Sequence, residues 1–313
     1  MQKHKLGRSG IEIAPLVFGD NVFGWTADET RSFELLDRFV ERGFNAIDTA
    51  DAYSDWAPGH TGGESETVLG KWLARRGRRD DVVLMSKVGM LEARKGLSAA
   101  NIEAAVEDSL RRLQTDYLDV YFAHIDDPDV PLEETLGAFA RLIDAGKVRA
   151  IGASNYSAER LRMALSVSDK QGLPRYEVMQ PLYNLYDRTD FEAELAAVAK
   201  EHELGVVSYF SLASGFLTGK YKTVEDLEGN ARADLMKKYF DERGQRLLNE
   251  LLHLSDELAV RPAQVALAWL LSRPSLTAPI ASATTVPQLD ELLDAVNLSL
   301  PEQAFAGLEK TAP

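Results

Sequence analysis

The stretch FNAIDTADAY, residues 44–53, carries the pattern that decides the fold. Its apolar run FNAI is typical of a buried strand, yet Asp48, Asp51 and Tyr53 follow it at once. The same arrangement of apolar run, polar loop and helical pattern recurs along the chain. The runs are LVFG (16–19), FNAI (44–47), VVLMS (82–86), LDVYFA (118–123), VRAIGA (148–153), YEVM (176–179), GVVSY (205–209) and TAPIA (277–281).

Helix signals separate these eight runs. Thr26 and Glu29 have the spacing of a capping box, Ser98 is a good N-cap, and Pro131 suits a first helical position. Short strands separated by helices need crossover connections and therefore form a parallel sheet. Eight such units close naturally into a (β/α)8 TIM barrel of the α/β class. A doubly wound open sheet is the alternative, but no Gly-x-Gly-x-x-Gly follows the first run.

The pattern runs through the chain without a linker or a low-complexity segment, so we expect a single domain over residues 1–313. Residues 1–14 alternate around a Gly-Arg-Ser-Gly turn, which predicts a small N-terminal hairpin. The one long irregular stretch, 211–245, follows the seventh run. Such loops carry function more often than they separate domains, and we expect this one to cover a ligand site.

Composition excludes several classes of protein. The net charge of −14 and the lack of a Lys/Arg-rich run argue against nucleic-acid binding. The chain has no cysteine, which excludes disulfides, thiolate catalysis and cysteine-ligated metals. No apolar stretch approaches the roughly 18–20 residues of a membrane span. Met1 leads directly into charged residues with no apolar targeting segment, so we expect a cytoplasmic protein with no membrane partner.

Hydrogen-bonding or ionisable side chains follow nearly every run, at the barrel end where active sites lie. One such residue is ordinary, but a full ring is not expected from packing alone. The ring comprises Asp20, Asn21, Asp48, Thr49, Asp51, Tyr53, Lys87, His124, Asp126, Asp127, Ser154, Asn155, Gln180, Tyr209, Ser282, Thr284 and Thr285.

Asp48, Tyr53, Lys87 and His124 form the chemically most informative subset. A buried Lys87 ammonium is expected to lower the pKa of the Tyr53 phenol, while Asp48 offsets the cost of burying Lys87. His124 can polarise a carbonyl oxygen beside that phenol. The set suits carbonyl reduction, with a proton from Tyr53 and a hydride from a cofactor, because no side chain supplies hydride.

Other interpretations are open for single residues. Asp48 alone could cap the next segment, and His124 alone would more often be a hydrogen-bonded core residue. The cluster of His124, Asp126, Asp127 and Asp129 could belong to a metal hydrolase, but such sites draw more than one histidine from strand ends, and we expect no metal. An aldolase-type Schiff base on Lys87 is a further alternative.

Six segments resemble the aldo-keto reductase family, in the family's order, between residue 6 and about residue 300. They are DTADAY (48–53), SKVG (86–89), AHIDDPDVPLEETL (123–136), GKVRAIGASNY (146–156), GFLTGKY (215–221) and PIASATTVPQLDELL (279–293). The resemblance implies an NAD(P)-dependent oxidoreductase acting on CH-OH donors. It also implies a barrel whose floor the hairpin closes.

The resemblance implies roles for individual residues. The family's catalytic tetrad corresponds to Asp48, Tyr53, Lys87 and His124. Ser154, Asn155 and Gln180 match the residues that hold the nicotinamide carboxamide, and Tyr209 matches the aromatic ring that stacks on the nicotinamide. The remaining matches are Leu212, Gly215, Leu217 and Lys220 over the pyrophosphate, Thr284 and Gln288 at the adenosine end, and Asp20 near the ribose.

Two departures from the family pattern concern the cofactor. Tyr209-Phe210-Ser211-Leu212 stands where the family usually has Tyr-Ser-Pro-Leu. No Lys or Arg lies between 280 and 300, where the family often places a base near the adenosine 2′-phosphate. Threonine hydroxyls and helix amides could still hold that phosphate, although less firmly than a bidentate cation would. The resemblance favours NADP(H), and NAD(H) is an open alternative.

The sequence identifies the substrate only as a small carbonyl compound or the matching alcohol. Trp25, Trp56 and Met90 lie in loops at the catalytic face and are equally compatible with substrate walls and with loop packing. Polar residues such as Ser54, Asp55, Asp126 and Asp127 suggest hydroxylated substrates such as sugars. Some members of the family are regulatory subunits of potassium channels, and the absence of a long basic N-terminal segment favours an enzyme here. The oligomeric state is not predictable from the sequence.

Overall fold

An antiparallel hairpin fills one end of the molecule. In the computed structural model, which describes residues 2–311, strands β1 (His4–Lys5) and β2 (Glu12–Ile13) pair across a turn. Leu6, Ile11 and Ile13 of this hairpin are buried among side chains inside the barrel, including Met85 and Phe122. The predicted hairpin over 1–14 is thus confirmed as a plug of the barrel floor, apart from Met1, which lies outside the described residues.

Eight parallel strands form a closed barrel, as the eight apolar runs predict. The strands are β3 (Val17–Gly19), β4 (Ala46–Asp48), β5 (Val83–Val88), β6 (Leu118–Ala123), β7 (Val148–Ser154), β8 (Tyr176–Gln180), β9 (Gly205–Ser208) and β10 (Ala278–Ala281). Each lies within two residues of its predicted run at either end. The register pairs Gly19 with Asp48 and Ser154 with Gln180, so β3 and β4, and likewise β7 and β8, end beside each other.

Helices surround the barrel and pack on its outer face. They are α1 (Glu29–Glu41), α2 (Glu64–Arg76), α3 (Ala99–Leu113), α4 (Leu132–Asp144), α5 (Ala158–Gln171), α6 (Ala196–Glu201), α7 (Ala233–Met236), α8 (Glu242–Leu258), α9 (Pro262–Leu271), α10 (Val286–Asp294) and α11 (Glu302–Glu309). Among residues 2–311, no helix is long and apolar enough to cross a membrane.

Two of the three predicted helix starts need correction. Ser98 caps α3 as predicted, with its side chain accepting from the Asn101 amide. The expected capping box at Thr26 is wrong, because the Thr26 amide is used in a turn that bonds to the Val22 carbonyl. Asp28 caps α1 instead and accepts from the Arg31 amide at 2.8 Å. Pro131 is the N-cap of α4, so the helix begins at Leu132, one residue after the predicted start.

The long segment after β9 is more ordered than its sequence indicates. It contains the short helical turns Ala213–Thr218 and Glu225–Leu227, helix α7, and a further turn at Lys237–Tyr239. Helix α8 begins at Glu242, inside the stretch that was predicted to be irregular. Phe216 stacks on Tyr239 with 5.5 Å between ring centroids, and both are fully buried, so apolar packing fixes this segment against the barrel.

Candidate active site

A cavity of about 500 Å³ opens at the C-terminal ends of the barrel strands. Its floor and inner walls come from strand ends, including Gly19, Asp48, His124 and Gln180. The segment after β9 forms the opposite wall. The cavity therefore lies where the sequence pattern places the ring of polar side chains.

Asp48, Tyr53 and Lys87 form a tight hydrogen-bonded group at the bottom of the cavity. Lys87 Nζ is fully buried and donates to Asp48 Oδ2 at 2.7 Å, to Tyr53 Oη at 2.8 Å and to the Thr49 carbonyl at 2.6 Å. Tyr53 Oη donates to Asp48 Oδ2 at 3.2 Å. The lysine thus has three acceptors, which is the hydrogen-bonding capacity of an ammonium group and does not suit a free amine nucleophile.

The direction of the Tyr53 pKa differs from the sequence-based expectation. Burial raises the pKa of the Tyr53 phenol well above its usual value, and the negative charge of Asp48 raises it further. The expected lowering by Lys87 does not prevail, because the ammonium charge is largely matched by Asp48 at 2.7 Å. Tyr53 is accordingly held as a neutral phenol, the form that can give up a proton.

His124 faces the same cavity from the end of β6. Its ring centroid lies 6.0 Å from that of Tyr53, in an edge-to-face arrangement. Burial, followed by the positive charge of Lys87, holds the pKa of His124 well below its usual value. The neutral imidazole can therefore donate or accept a hydrogen bond without adding a charge to the cavity.

The predicted nicotinamide-binding residues are connected to the tetrad by hydrogen bonds. Gln180 Nε2 donates to Asp48 Oδ1 at 2.8 Å, and Ser154 Oγ donates to the Gln180 carbonyl at 2.9 Å. Asn155 Nδ2 donates to the His124 carbonyl at 2.8 Å, while its Oδ1 accepts from the Tyr209 hydroxyl at 2.7 Å. Ser154, Asn155, Gln180 and Tyr209 all line the cavity, so these side chains are oriented by neighbours on adjacent strands.

The four residues predicted to lie over the pyrophosphate have different positions. Leu212 and Gly215 line the cavity. Leu217 is fully buried in the core, and Lys220 lies exposed at the surface. Two of the four predicted residues thus lie at the cavity wall, and the other two do not.

The predicted adenosine end lies beyond the cavity, at the start of α10. Thr284 bonds to Gln288 Oε1 through both its amide, at 3.1 Å, and its hydroxyl, at 3.0 Å. The fold brings Arg38 of α1 and Arg42, the C-cap of α1, next to α10, although no Lys or Arg lies between 280 and 300 in the sequence. Asp290 accepts from Arg38 Nε at 2.8 Å and from Arg42 Nη1 at 2.7 Å, so these two cations are already paired.

Asp20 lies behind the cavity wall. Gly19 and Asn21 on either side of it line the cavity, whereas the Asp20 side chain is fully buried. Its carboxyl oxygens have no hydrogen-bond partner among residues 2–311. Burial raises the pKa of Asp20 well above its usual value, and nearby hydroxyls such as that of Ser65, which donates to the Asp20 backbone carbonyl at 2.7 Å, offset this only in part.

Arg232 is a cavity residue that the sequence reasoning missed. Its side chain lines the cavity and lies 5.6 Å from the Trp25 ring centroid. Nη2 is buried without a partner in the described part of the chain, and burial lowers the pKa of the guanidinium below its usual value. A guanidinium nitrogen that is buried without a partner is an indication of an anionic ligand. Its position in the long segment after β9 was the only sequence signal, shared with several other bases.

The predicted substrate residues lie together at the cavity mouth. Trp56 and Met90 line the cavity. Trp25 packs edge-on against Trp56, with ring centroids 5.5 Å apart and an interplanar angle of 82°. Trp25 thus supports the wall that Trp56 forms. Within residues 2–311, no group of three or more His, Asp or Glu side chains is arranged to hold a metal ion.

Comparison with known proteins identifies the class. The family model described as "Aldo/keto reductase family" matches residues 15–312. The chain is 36% identical to "Uncharacterized oxidoreductase YrpG" of Bacillus subtilis (strain 168), over 100% of this chain and 96% of that protein. It is 32% identical to "Aldo-keto reductase YhdN" of the same organism, over 96% of this chain and 90% of that protein.

A plant protein with a different role is similarly close. The chain is 34% identical to "Probable voltage-gated potassium channel subunit beta" of Oryza sativa subsp. japonica, over 96% of this chain and 94% of that protein. The barrel and its cavity, with the family match, define an NAD(P)-dependent oxidoreductase whose chemistry is the oxidoreduction of carbonyl groups in small molecules. The chain belongs to the aldo/keto reductase family.

Proposed function

We propose that this protein reduces an aldehyde or ketone to the alcohol, or catalyses the reverse oxidation, with Tyr53 as the proton donor. The observation that carries this proposal is the buried triad of Lys87, Tyr53 and Asp48, in which Lys87 Nζ lies 2.8 Å from Tyr53 Oη. In the reducing direction, the carbonyl carbon receives a hydride and the carbonyl oxygen receives the Tyr53 proton. One NAD(P)H and one proton are consumed for each alcohol formed.

The cavity has features that fit a dinucleotide cofactor. Arg232 offers a buried nitrogen without a partner in the described residues, as an anionic pyrophosphate requires. Ser154, Asn155 and Gln180 offer polar atoms for a carboxamide, and Tyr209 offers an aromatic face. When bound, the reduced nicotinamide supplies the hydride. We assign Leu212 and Gly215 to the same site, and Leu217, Lys220 and Asp20 to its support.

Tyr53, Lys87 and Asp48 would together control the transfer of the Tyr53 proton to the carbonyl oxygen of the substrate. A neutral Tyr53 phenol can donate to a carbonyl oxygen, and neutral His124 can hydrogen-bond that oxygen and fix its position. Once the proton has left, the negative charge on Tyr53 Oη is stabilised by Lys87 Nζ at 2.8 Å. Asp48 and the Thr49 carbonyl hold the ammonium in place during this change.

We propose NADP(H) as the cofactor, with NAD(H) as the alternative. Thr284 and Gln288 lie at the start of α10, where helix amides favour a phosphate. Arg38 and Arg42 lie near this helix and could exchange a carboxylate partner for the phosphate. Titration with NADPH and with NADH, followed by quenching of tryptophan fluorescence, measures the preference.

Tyr53→Phe tests the proposed proton donor. We expect kcat/KM for a panel of aldehydes to fall by about 10²–10⁴-fold, because the phenol proton is lost, while cofactor affinity stays within about twofold. Tyr121→Phe is the matched control, since the Tyr121 hydroxyl is buried without a partner among the described residues and lies outside the cavity. Full activity of Tyr53→Phe would remove the proposed role of this residue.

A second candidate function comes from the relatives named as potassium channel subunits. A nucleotide-binding regulatory subunit of the same fold would hold the cofactor but turn over negligibly. Steady-state turnover of a broad carbonyl panel distinguishes the two functions. Cofactor binding combined with turnover far below the roughly 1–10³ s⁻¹ that is typical of enzymes would favour the regulatory function.

A further inference from the structure

Large apolar side chains are concentrated at the mouth of the cavity. Six of them are strongly exposed among residues 2–311, and three of the six line this one cavity. Trp56 is 48% exposed, Met90 is 40% exposed and Ile125 is 39% exposed. They follow the consecutive strands β4, β5 and β6 and line the same cavity, and we call these three side chains the apolar wall. Exposed apolar surface gathered at a cavity mouth is typical of a ligand contact.

Polar side chains near the mouth already form hydrogen bonds with other residues of the protein. Asp126 accepts from Arg160 Nε at 2.8 Å, and Asp127 Oδ2 accepts from the Leu97 amide at 2.8 Å. Ser54 is fully buried, and its hydroxyl donates to the Phe23 carbonyl at 2.9 Å. These are three of the four residues that suggested a sugar-like substrate from sequence, and their hydrogen bonds hold loops together. The fourth, Asp55, lies outside the cavity lining. A polyhydroxylated ligand would therefore lose water at this wall without gaining matched partners.

The apolar wall continues directly from the proton donor. The ring of Trp56 stands edge-on to that of Tyr53, with centroids 6.1 Å apart and an interplanar angle of 61°. Trp25 supports Trp56 from the other side. A substrate whose carbonyl oxygen lies at Tyr53 Oη therefore occupies the cavity that Trp56, Met90 and Ile125 line.

We propose that Trp56, Met90 and Ile125 determine substrate specificity and select carbonyl compounds with an apolar body, such as a substituted aromatic ring, over polyhydroxylated aldehydes. This inference rests on the proposed function, because it takes Tyr53 as the point where the carbonyl oxygen binds. The three side chains of the wall offer apolar surface for contact, next to the polar groups of the reacting centre, Tyr53 and His124. Arg232 also lines the cavity, and the proposed function assigns it to the cofactor pyrophosphate.

The test compares two substrates with saturating NADPH, 4-isopropylbenzaldehyde and glyceraldehyde. The wild-type protein is expected to favour the aromatic aldehyde by about 10²-fold in kcat/KM, a size typical of apolar pocket contacts. Met90→Gln and Ile125→Asn should each reduce this ratio by about 10-fold, through a lower kcat/KM for the aromatic aldehyde. Met163→Gln is the matched control, since Met163 is 47% exposed on α5 and lies outside the cavity lining.

Equal use of the two aldehydes by the wild type, or equal effects of Met90→Gln on both, would overturn the inference. A failure to reduce either aldehyde would count against the proposed function instead. In that case, binding of 4-isopropylbenzyl alcohol and of glycerol to the protein saturated with NADP⁺, measured by calorimetry, decides the inference. Selective binding of the aromatic alcohol that Met90→Gln weakens by about 10-fold supports it, and binding without selectivity refutes it.

Discussion

The two ends of the barrel are built on the same eight strands but carry opposite kinds of side chain, apolar at the floor and polar or charged at the catalytic face. At the floor, Leu6, Ile11 and Ile13 of the hairpin fill the opening with apolar side chains. At the catalytic face, the strands end in buried charges and hydrogen-bonding groups around an open cavity. The floor therefore contributes apolar burial to stability, whereas the catalytic face holds groups whose burial is costly.

A second contrast lies within the catalytic face, between a buried ion pair and a buried carboxyl group without a partner. Lys87 and Asp48 are both buried, but they neutralise each other and are held by further hydrogen bonds. Asp20 lies on the neighbouring strand end, also fully buried, and its carboxyl oxygens have no partner within residues 2–311. A paired charge can be placed for chemistry at modest cost, while an unpaired carboxyl is expected to retain its proton.

Lys87→Met should have the largest effect, because it removes the counter-ion of Asp48 and the stabiliser of the Tyr53 oxygen. We expect kcat to fall by about 10³-fold and the free energy of unfolding to fall by about 3–5 kcal/mol. Steady-state kinetics and urea unfolding measure the two effects. Lys147→Met is the control, since Lys147 pairs with Glu107 at the surface and such pairs contribute less than about 1 kcal/mol. Equal unfolding curves for the two variants would contradict the comparison.

Gly7→Ala should disrupt the floor without touching the catalytic face. Gly7 has φ of +61°, and a Cβ added there would lie 2.3 Å from the Glu177 carbonyl oxygen and 2.7 Å from the Gly205 amide. We expect a loss of about 3 kcal/mol in unfolding free energy, from backbone strain and displacement of the hairpin. The decrease in Tm measures this loss of stability. The kcat per folded molecule should not change.

Gly10→Ala separates the cost of backbone strain from the cost of a steric clash at the added Cβ. Gly10 in the same turn has φ of +75°, but a Cβ there would meet no atom of residues 2–311 within 4 Å. Its loss should be about 1 kcal/mol, the cost of the backbone conformation alone. Similar losses for both variants would mean that the close approach of Gly7 to the strands is unimportant.

Asp20→Asn should have the smallest effect, and of opposite sign. The folded protein binds the Asp20 proton more tightly than the unfolded chain does, so the wild type loses stability as pH rises above about 4. The amide has no proton to lose, and we expect a gain on the order of 1 kcal/mol at pH 8, limited by its own unpaired donors. Thermal unfolding from pH 4 to pH 8 measures this. A gain that is equally large at pH 4 would exclude ionisation as its cause.

Much of the fold was predictable because local signals and tertiary structure agree. Apolar runs of strand length alternate with helical patterns, and eight crossover units leave few topologies other than a closed parallel barrel. The helix starts were less predictable. Thr26 has the right residue type and spacing for a cap, but the turn around Val22 uses its amide, and only the folded chain reveals that competition.

The position of the candidate site followed from sequence, but its electrostatics did not. Asp48, Lys87 and His124 follow strand runs, and parallel strands bring those ends together, so their meeting was determined by the pattern. The pKa of Tyr53 depends on how much water is excluded and on how completely Asp48 neutralises Lys87, and both are three-dimensional quantities.

The sequence by itself determined the eight-stranded barrel, the N-terminal hairpin and the position of Asp48, Lys87 and His124 at strand ends, because these depend on periodicity and on residue order along the chain. Only the tertiary structure decided that Arg232 lines the cavity and that the cavity mouth is apolar. It also decided that the carboxylates of Asp126 and Asp127 already accept hydrogen bonds from other residues of the protein. Whether a polar side chain is available to a ligand depends on distant partners, such as Arg160, which lies 34 residues away from Asp126 in the chain. Long-range hydrogen bonds leave no local pattern from which that availability can be read.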